Sequence, residues 1–149
     1  MRTIFLSCAF DSEMPERLVL HIKNSLEEIP RATLKVTDYL ARQQASPTAI
    51  YFASLAIEEL VSNCVKYGFD DTEEHLITIS VATSEGMLEL AFTDDGHAFN
   101  PLTFPEPDIS VPAHERSIGG LGLHLLRKMA DHAAYSRLSE QNLLTLKKS

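Results

Sequence analysis

The chain has 149 residues, a hydrophobic fraction of 44 % and a formal net charge of −8, which is enough for one domain with a real core. The acidic balance argues against nucleic acid as a partner, because phosphate contacts call for clustered Lys and Arg. No uninterrupted apolar run reaches the roughly 18 residues of a membrane span, the N-terminus MRTIFLSCAF lacks a leader-cleavage pattern, and Cys8 and Cys64 make no disulfide framework. A cytoplasmic protein without membrane attachment is expected.

In chain order, residues 3–10 are a short β-rich run and residues 11–15 a turn. Residues 17–23 alternate, with Leu18, Leu20 and Ile22 against Val19 and His21, which predicts a strand; paired with 3–10 it would form a hairpin. Residues 24–30 connect to a helix, with Pro30 suited to its first turn. Leu34, Val36, Leu40 and Ala41 then recur at helical spacing as far as about Gln44. Ser46-Pro47 reads as the N-cap and N1 pair of a second, central helix, and Gly68 as its C′ residue.

An acidic loop, 69–74, leads into residues 76–83, where Ile77, Ile79 and Val81 alternate with Thr78, Ser80 and Ala82. Glu85-Gly86 is a tight turn. Residues 87–93 alternate again, with Leu88, Leu90 and Phe92 on one face, so the two runs predict a hairpin with one buried face. Residues 96–118 have no clear period, and Pro101, Pro105, Pro107 and Pro112 exclude a regular helix there. A loop of that length in a compact domain is commonly a functional lid. Gly119, Gly120, Leu121 and Gly122 open a third helix to about Asp131, with Leu121, Leu125 and Met129 at i+4 steps. Residues 133–138 and 143–147 predict a closing hairpin. The expected fold is α+β in a single domain, 1–149: a two-layer sandwich in which an antiparallel or mixed sheet is covered on one face by three helices.

Three places in this chain can carry chemistry. The first half of the central helix is apolar on almost every side, while Glu58, Glu59, Ser62, Asn63 and Lys66 open a polar sector of roughly 140°. Glu59 and Asn63 are i and i+4, so they stack on one face. A solvated helix face accounts for the same stripe. Cys64 falls on the apolar side and reads as a small core residue rather than a reactive thiol. The second place is Asp94-Asp95-Gly96. Alternation carries Asp94 onto the face of Leu88, Leu90 and Phe92, where a carboxylate needs a hydrogen-bond partner; equally, the strand has ended and Asp-Asp-Gly is a turn. The third is the glycine cluster at the third helix start. Free N–H groups there favour an anion, and a flexible joint between lid and helix has the same composition.

Together, and in this order, the stretches EELVSNCVKYGF, DDGHAFNP and GGLGLHLLRKMAD resemble the N-box and two Gly boxes of the GHKL ATPases, the Bergerat-fold, histidine kinase-like nucleotide binders. The resemblance runs from about Leu18 to Leu146. Phe99 and Pro101 after the Asp-x-Gly, and the Arg127–Asp131 tail, are closest to the anti-sigma factor serine kinase branch, the RsbW-like proteins. It implies ATP and Mg²⁺ as cofactors, with Glu59 as general base and Asn63 as metal ligand. It implies Asp94 on the adenine amino group, Gly96 where the base approaches, and Lys66 against phosphate charge. Gly119, Gly120, Leu121 and Gly122, with a 97–118 lid, would hold the triphosphate. Ala98 stands where histidine kinases carry a second glycine, a departure this branch shares. The implied activity is a protein serine kinase acting on a STAS-type anti-sigma factor antagonist and binding a sigma factor, with two copies pairing through the N-terminal strands. A sequestering module without catalysis, and a GHKL regulator of another partner-switching pathway, are the alternatives. Residues 1–15 fall outside the resemblance and read as an extension that adds a strand.

Overall fold

In a computed structural model of the chain, residues 16–115 and 120–149 are described. The elements are β1 (Leu18–Lys23), α1 (Glu28–Arg42), α2 (Pro47–Tyr67), β2 (Leu76–Ser84), β3 (Met87–Asp94), two 3₁₀ turns at Pro101–Thr103 and Ala113–Glu115, α3 (Leu121–Met129), β4 (His132–Leu138) and β5 (Gln141–Lys148). The strands form one sheet in the order β1-β2-β3-β5-β4, and every adjoining pair is antiparallel. Helices α1 and α2 together return the chain to the end of the sheet where β1 finished, β2–β3 and β4–β5 are hairpins, and β5 enters between β3 and β4, antiparallel to both.

The three helices cover one face. Leu20, Ile22, Ile77, Ile79, Leu88, Leu90, Leu144 and Leu146 from the strands meet Val36, Leu40, Phe52, Ile57, Val61 and Leu126 from the helices in one core. The inward positions of β1 and β3 are those that alternation gives. The other sheet face is polar. Glu89 there pairs with Arg17 at 3.0 Å and Lys147 at 3.3 Å, as suits a solvated antiparallel face.

Helix α1 starts at Glu28, earlier than the connector reading allowed, with Pro30 in its first turn where no intrahelical N–H bond is lost. Helix α2 starts as expected: the Ala49 N–H donates to Ser46 Oγ at 3.1 Å, with Pro47 at the first helical position. By length and composition alone α2 could cross a membrane, although polar residues interrupt its apolar run. Its apolar residues Phe52, Ala53, Ala56, Ile57 and Val61 are instead buried in this core. Gly68 is not a left-handed C′ residue. It ends α2 with φ −77° and ψ −24°, and its role is close packing, described below.

Two further corrections concern the C-terminal half. In α3 the buried residues are Leu123 and Leu126, whereas Leu121 and Leu125 are exposed toward the cavity, so the i+4 series of Leu121 and Leu125 is not the core stripe. Strand β5 begins at Gln141, two residues before the expected start, which brings Asn142 into the sheet. Among the described residues β1 is the first strand of the sheet order; the expected partner run, 3–10, lies outside the described residues.

Candidate nucleotide site

Between α2, the end of β3, the 97–105 loop and the start of α3 lies a cavity of about 820 Å³. It brings together Glu59, Asn63, Lys66, Asp94, Ala98, Gly120, Leu121 and Gly122, which are scattered over more than sixty positions of sequence. Gly119 lies outside the described residues.

The strand end of the cavity is floored by Ile77, Phe92, Tyr135 and Leu144 and carries Asp94. Strand β3 does continue through Asp94, which pairs in register with Asn142 of β5, and the turn reading holds one residue later. Asp94 Oδ1 accepts from the Gly96 N–H at 2.9 Å, closing the turn on itself, and from Asn142 Nδ2 at 3.0 Å. Asn142 Nδ2 also donates to the His97 carbonyl at 2.8 Å. Its Oδ1 accepts from the Tyr135 hydroxyl at 2.6 Å and from Arg137 Nη1 at 2.9 Å. Asn142 is 6 % exposed and is the buried polar side chain of the described core. Such a residue needs its bonds satisfied: its nitrogen donates to the Asp-x-Gly turn and its oxygen accepts from Tyr135 and Arg137 on β4. Sequence reading missed it. The available signal was a polar residue in phase with Leu144 and Leu146.

Glycine is required at two touching points. A Cβ on Gly96 would lie 2.8 Å from the Gly68 carbonyl oxygen and 2.9 Å from Asp94 Oδ1. The His97 N–H donates to that same Gly68 carbonyl at 2.8 Å. A Cβ on Gly68 would in turn lie 2.5 Å from the Cys64 carbonyl oxygen, which is why a glycine ends α2 without a positive φ. Cys64, half-buried and packed against the core, also lines the cavity beside Asp94. Burial first, then the Asp94 carboxylate, pushes its thiol up to about 12, so it stays a neutral thiol and a poor nucleophile.

The helix end of the cavity is charged. Glu59 and Asn63 share the cavity-facing side of α2 one turn apart, and Lys66 follows at its rim. Burial raises the Glu59 carboxyl above the ordinary carboxylate range; the neighbouring Glu58 raises it further and Lys66 pulls it down. The Glu59 carboxylate packs against Gly122, where any Cβ would collide with it. Gly120 caps α3 with φ +86°, a left-handed conformation suited to glycine, and a Cβ there would lie 2.8 Å from Phe104 Cε1.

The loop over this end is docked on α3. Arg127 Nη1 donates to the Phe104 carbonyl at 2.5 Å, and Arg127 Nη2 lies 3.6 Å from Glu106 Oε1. Phe104 meets Phe99 edge to face, centroids 5.9 Å apart. Asn100 Oδ1 caps the Pro101–Thr103 turn through the Leu102 N–H at 2.9 Å.

These donors suit a purine nucleotide and a hard cation. The apolar floor with a recessed carboxylate fits a flat base bearing an amino group. Gly96 does not line the cavity: its missing side chain leaves room for the Gly68 backbone and the Asp94 carboxylate, so it shapes the turn that holds Asp94. The Asn63 amide and Glu59 carboxylate are oxygen donors of the kind Mg²⁺ takes sparingly beside phosphate oxygens.

Comparison with known proteins agrees with this geometry. A listerial "Serine-protein kinase RsbW" (Listeria monocytogenes) is 28 % identical over 122 residues, covering 79 % of this chain and 78 % of that protein. The "Serine/threonine-protein kinase BtrW" of Bordetella bronchiseptica is 25 % identical over 105 residues, covering 70 % and 74 %. Among solved structures, the RsbU and RsbW domains of Rv1364c from Mycobacterium tuberculosis share the fold, with a TM-score of 0.60 at 18 % identity. That match covers 88 % of this chain, which spans about a third (32 %) of the longer one. The model of the histidine kinase-like ATPase domain matches residues 22–148, from β1 through the last strand and across every cavity element described above, and the chain therefore belongs to the histidine kinase-like ATPase domain family.

Proposed function

We propose that this protein is an ATP- and Mg²⁺-dependent protein serine kinase of the anti-sigma factor kind, working in the cytoplasm. It phosphorylates a STAS-type anti-sigma factor antagonist and binds a sigma factor when not so engaged; self-association would use edge strand β1. The observation that carries the reading is Glu59. A carboxylate whose affinity for protons is raised by burial stands one helical turn from Asn63 on the wall of the same cavity. A module that only sequesters partners has no need of a base there. The curated kinases to which the chain is similar support the same choice.

Bound Mg·ATP supplies the transferable γ-phosphoryl group and neutralises its charge. The chain's own residues do the rest. Asp94 accepts a hydrogen bond from the base amino group and so sets the depth of the nucleotide. Asn63 offers its amide oxygen to the metal, and Lys66 adds positive charge at the rim. Glu59 is the group that holds the proton of an incoming serine hydroxyl, and its raised pKa improves it as a base. Gly120 and Gly122 keep side chains out of the phosphate approach at the α3 N-terminus.

The test is transfer from labelled ATP to candidate STAS-domain antagonists from the same genome, by wild type, Glu59→Gln and Glu58→Gln, with ATP affinity measured for each. Transfer by wild type and Glu58→Gln, with a fall of about 10²–10⁴-fold in Glu59→Gln at unchanged ATP affinity, is the expected result. Wild-type rates in Glu59→Gln remove the base assignment. ATP binding with no transfer to any antagonist brings the sequestering module forward.

A further inference from the structure

Strands β3 and β5 set Asp94 and Asn142 opposite one another in register, at the strand end of the cavity. The Asn142 side chain is buried, and all of its bonding capacity is in use. Its Nδ2 donates to the His97 carbonyl at 2.8 Å and to Asp94 Oδ1 at 3.0 Å, with the Gly96 carbonyl beyond at 3.4 Å. Its Oδ1 accepts from the Tyr135 hydroxyl at 2.6 Å and from Arg137 Nη1 at 2.9 Å. A backbone carbonyl only accepts and a guanidinium only donates, so the amide is held the same way round from both sides. Asn142 lines the cavity, yet it has no donor or lone pair left over for a ligand.

We propose that Asn142 is a positioning residue for base recognition: by holding Asp94 Oδ1 in the turn it aims Oδ2 at the exocyclic amino group of a bound purine. The inference rests on the nucleotide reading given above.

The reason lies in how a carboxylate is oriented. The last torsion of an aspartate side chain is soft, so the backbone of β3 fixes where Asp94 begins but not which way its carboxylate faces. The Gly96 N–H holds Oδ1 from within the turn at 2.9 Å. That one bond leaves the group free to swing about it. Asn142 brings a second donor to the same oxygen from the neighbouring strand, and two donors from different directions fix the plane. Both fall on Oδ1, so Oδ2 keeps its lone pairs for a donor from the cavity. The Cys64 thiol beside Asp94 is a weak donor and competes poorly with an amino group. The ligand then meets an acceptor already aimed, which spares the cost of ordering it on binding. This advantage belongs to the amino group alone. A purine with hydrogen in its place makes no such bond to Asp94 and draws nothing from the aim.

The experiment is calorimetric titration of the whole protein with ATP and with the triphosphate of purine riboside, which carries hydrogen in place of the amino group. Mg²⁺ is present, the proteins are wild type, Asn142→Leu and Asn142→Asp, and melting temperatures are taken alongside. Leucine fills the same space without a hydrogen bond. Aspartate keeps an oxygen for Tyr135 and Arg137 and exchanges only the donating nitrogen, so it carries the test should Asn142→Leu fail to fold. Wild type is expected to favour ATP by about 10-fold or more, the equivalent of one hydrogen bond to a charged group. Each variant should lose most of that preference, with the loss falling on ATP. Equal falls for both nucleotides, or a lower melting temperature with the ratio kept, overturn the inference and leave Asn142 a strut of the sheet. A wild type that binds both nucleotides equally also overturns it while sparing the nucleotide reading. Failure of wild type to bind either overturns that reading, and the inference with it.

Discussion

The two ends of the cavity are built on opposite plans. The strand end is made of neighbouring strands, and its polar atoms are matched: Asp94, Asn142, Tyr135, Arg137 and the carbonyls of Gly96 and His97 satisfy one another within a single sheet register. The helix end is made of element termini and a loop. There burial and then Glu58 raise the Glu59 carboxyl, and Gly120 takes a left-handed conformation. His124 Nδ1, buried and without a hydrogen bond among the described residues, lies 3.7 Å from Glu106. A satisfied network is stiff and specifies one geometry; a part-satisfied one is where a ligand has most to gain. The difference teaches a division of labour: recognition by the strands, response by the helix ends.

The comparison breaks most sharply at Asp94. Asp94→Asn keeps the shape, but with its amide oxygen left on the Asn142 and Gly96 donors its NH₂ takes the ligand-facing place, a donor set against the base amino group. A loss of a charged hydrogen bond together with a donor clash should weaken ATP binding by about 100-fold or more. Calorimetry measures it directly, and unchanged affinity would mean that the base does not lie at the strand end.

Next in size is the hinge of the helix end. Gly120→Ala places a Cβ against Phe104 and strains a backbone with φ +86°. About 1–2 kcal/mol of destabilisation is expected by denaturant titration, with a larger proportional loss of nucleotide affinity than of stability. A loss confined to stability would show that the loop–α3 contact has no part in binding. Smaller again is Arg127→Ala, which removes the donor to the Phe104 carbonyl. Hydrogen exchange in residues 97–106 should rise in the free variant and fall on adding ATP, as for a lid whose resting anchor has been cut. Equal exchange in variant and wild type would show that Arg127 does not hold the loop.

Much of this was legible because it depends on period. Leu20 and Ile22 in β1, and Leu88, Leu90 and Phe92 in β3, are buried at the alternate positions the sequence marks. Glu59 and Asn63 share a face because i and i+4 must. What escaped depends on neighbours that sequence does not display. The expected strand 143–147 stops one residue short of Asn142; its inward amide is stabilised by pairing with Asp94 and Arg137, which periodicity does not display. Gly68 suggested a left-handed cap, yet its φ is negative and a side chain there is excluded by the Cys64 carbonyl one turn earlier in α2. Leu121 and Leu125 have helical spacing, but their side of α3 meets a cavity rather than a core, and periodicity cannot tell the two apart.

The finest discrimination between the two ends is a stability effect with a definite sign. The Glu59 carboxyl is raised by burial, so in the folded state it binds its proton more tightly than in the unfolded chain. Between the ordinary carboxylate pKa and the raised one, the folded state carries the larger share of bound protons. Stability contributed by the neutral form is therefore present at low pH and is lost as pH rises through that window. Above it the ionised carboxylate is a standing cost. Glu59→Gln, which is never ionised, should be slightly more stable than wild type at neutral pH and no more stable at acid pH. The gain should stay below about 1 kcal/mol, because the group is part-exposed and solvent screens it. Melting temperatures of both proteins across the acid-to-neutral range measure the effect. A Glu59→Gln variant less stable than wild type at neutral pH would mean that the carboxylate is held by a favourable partner, and the helix end would then be as fully matched as the strand end.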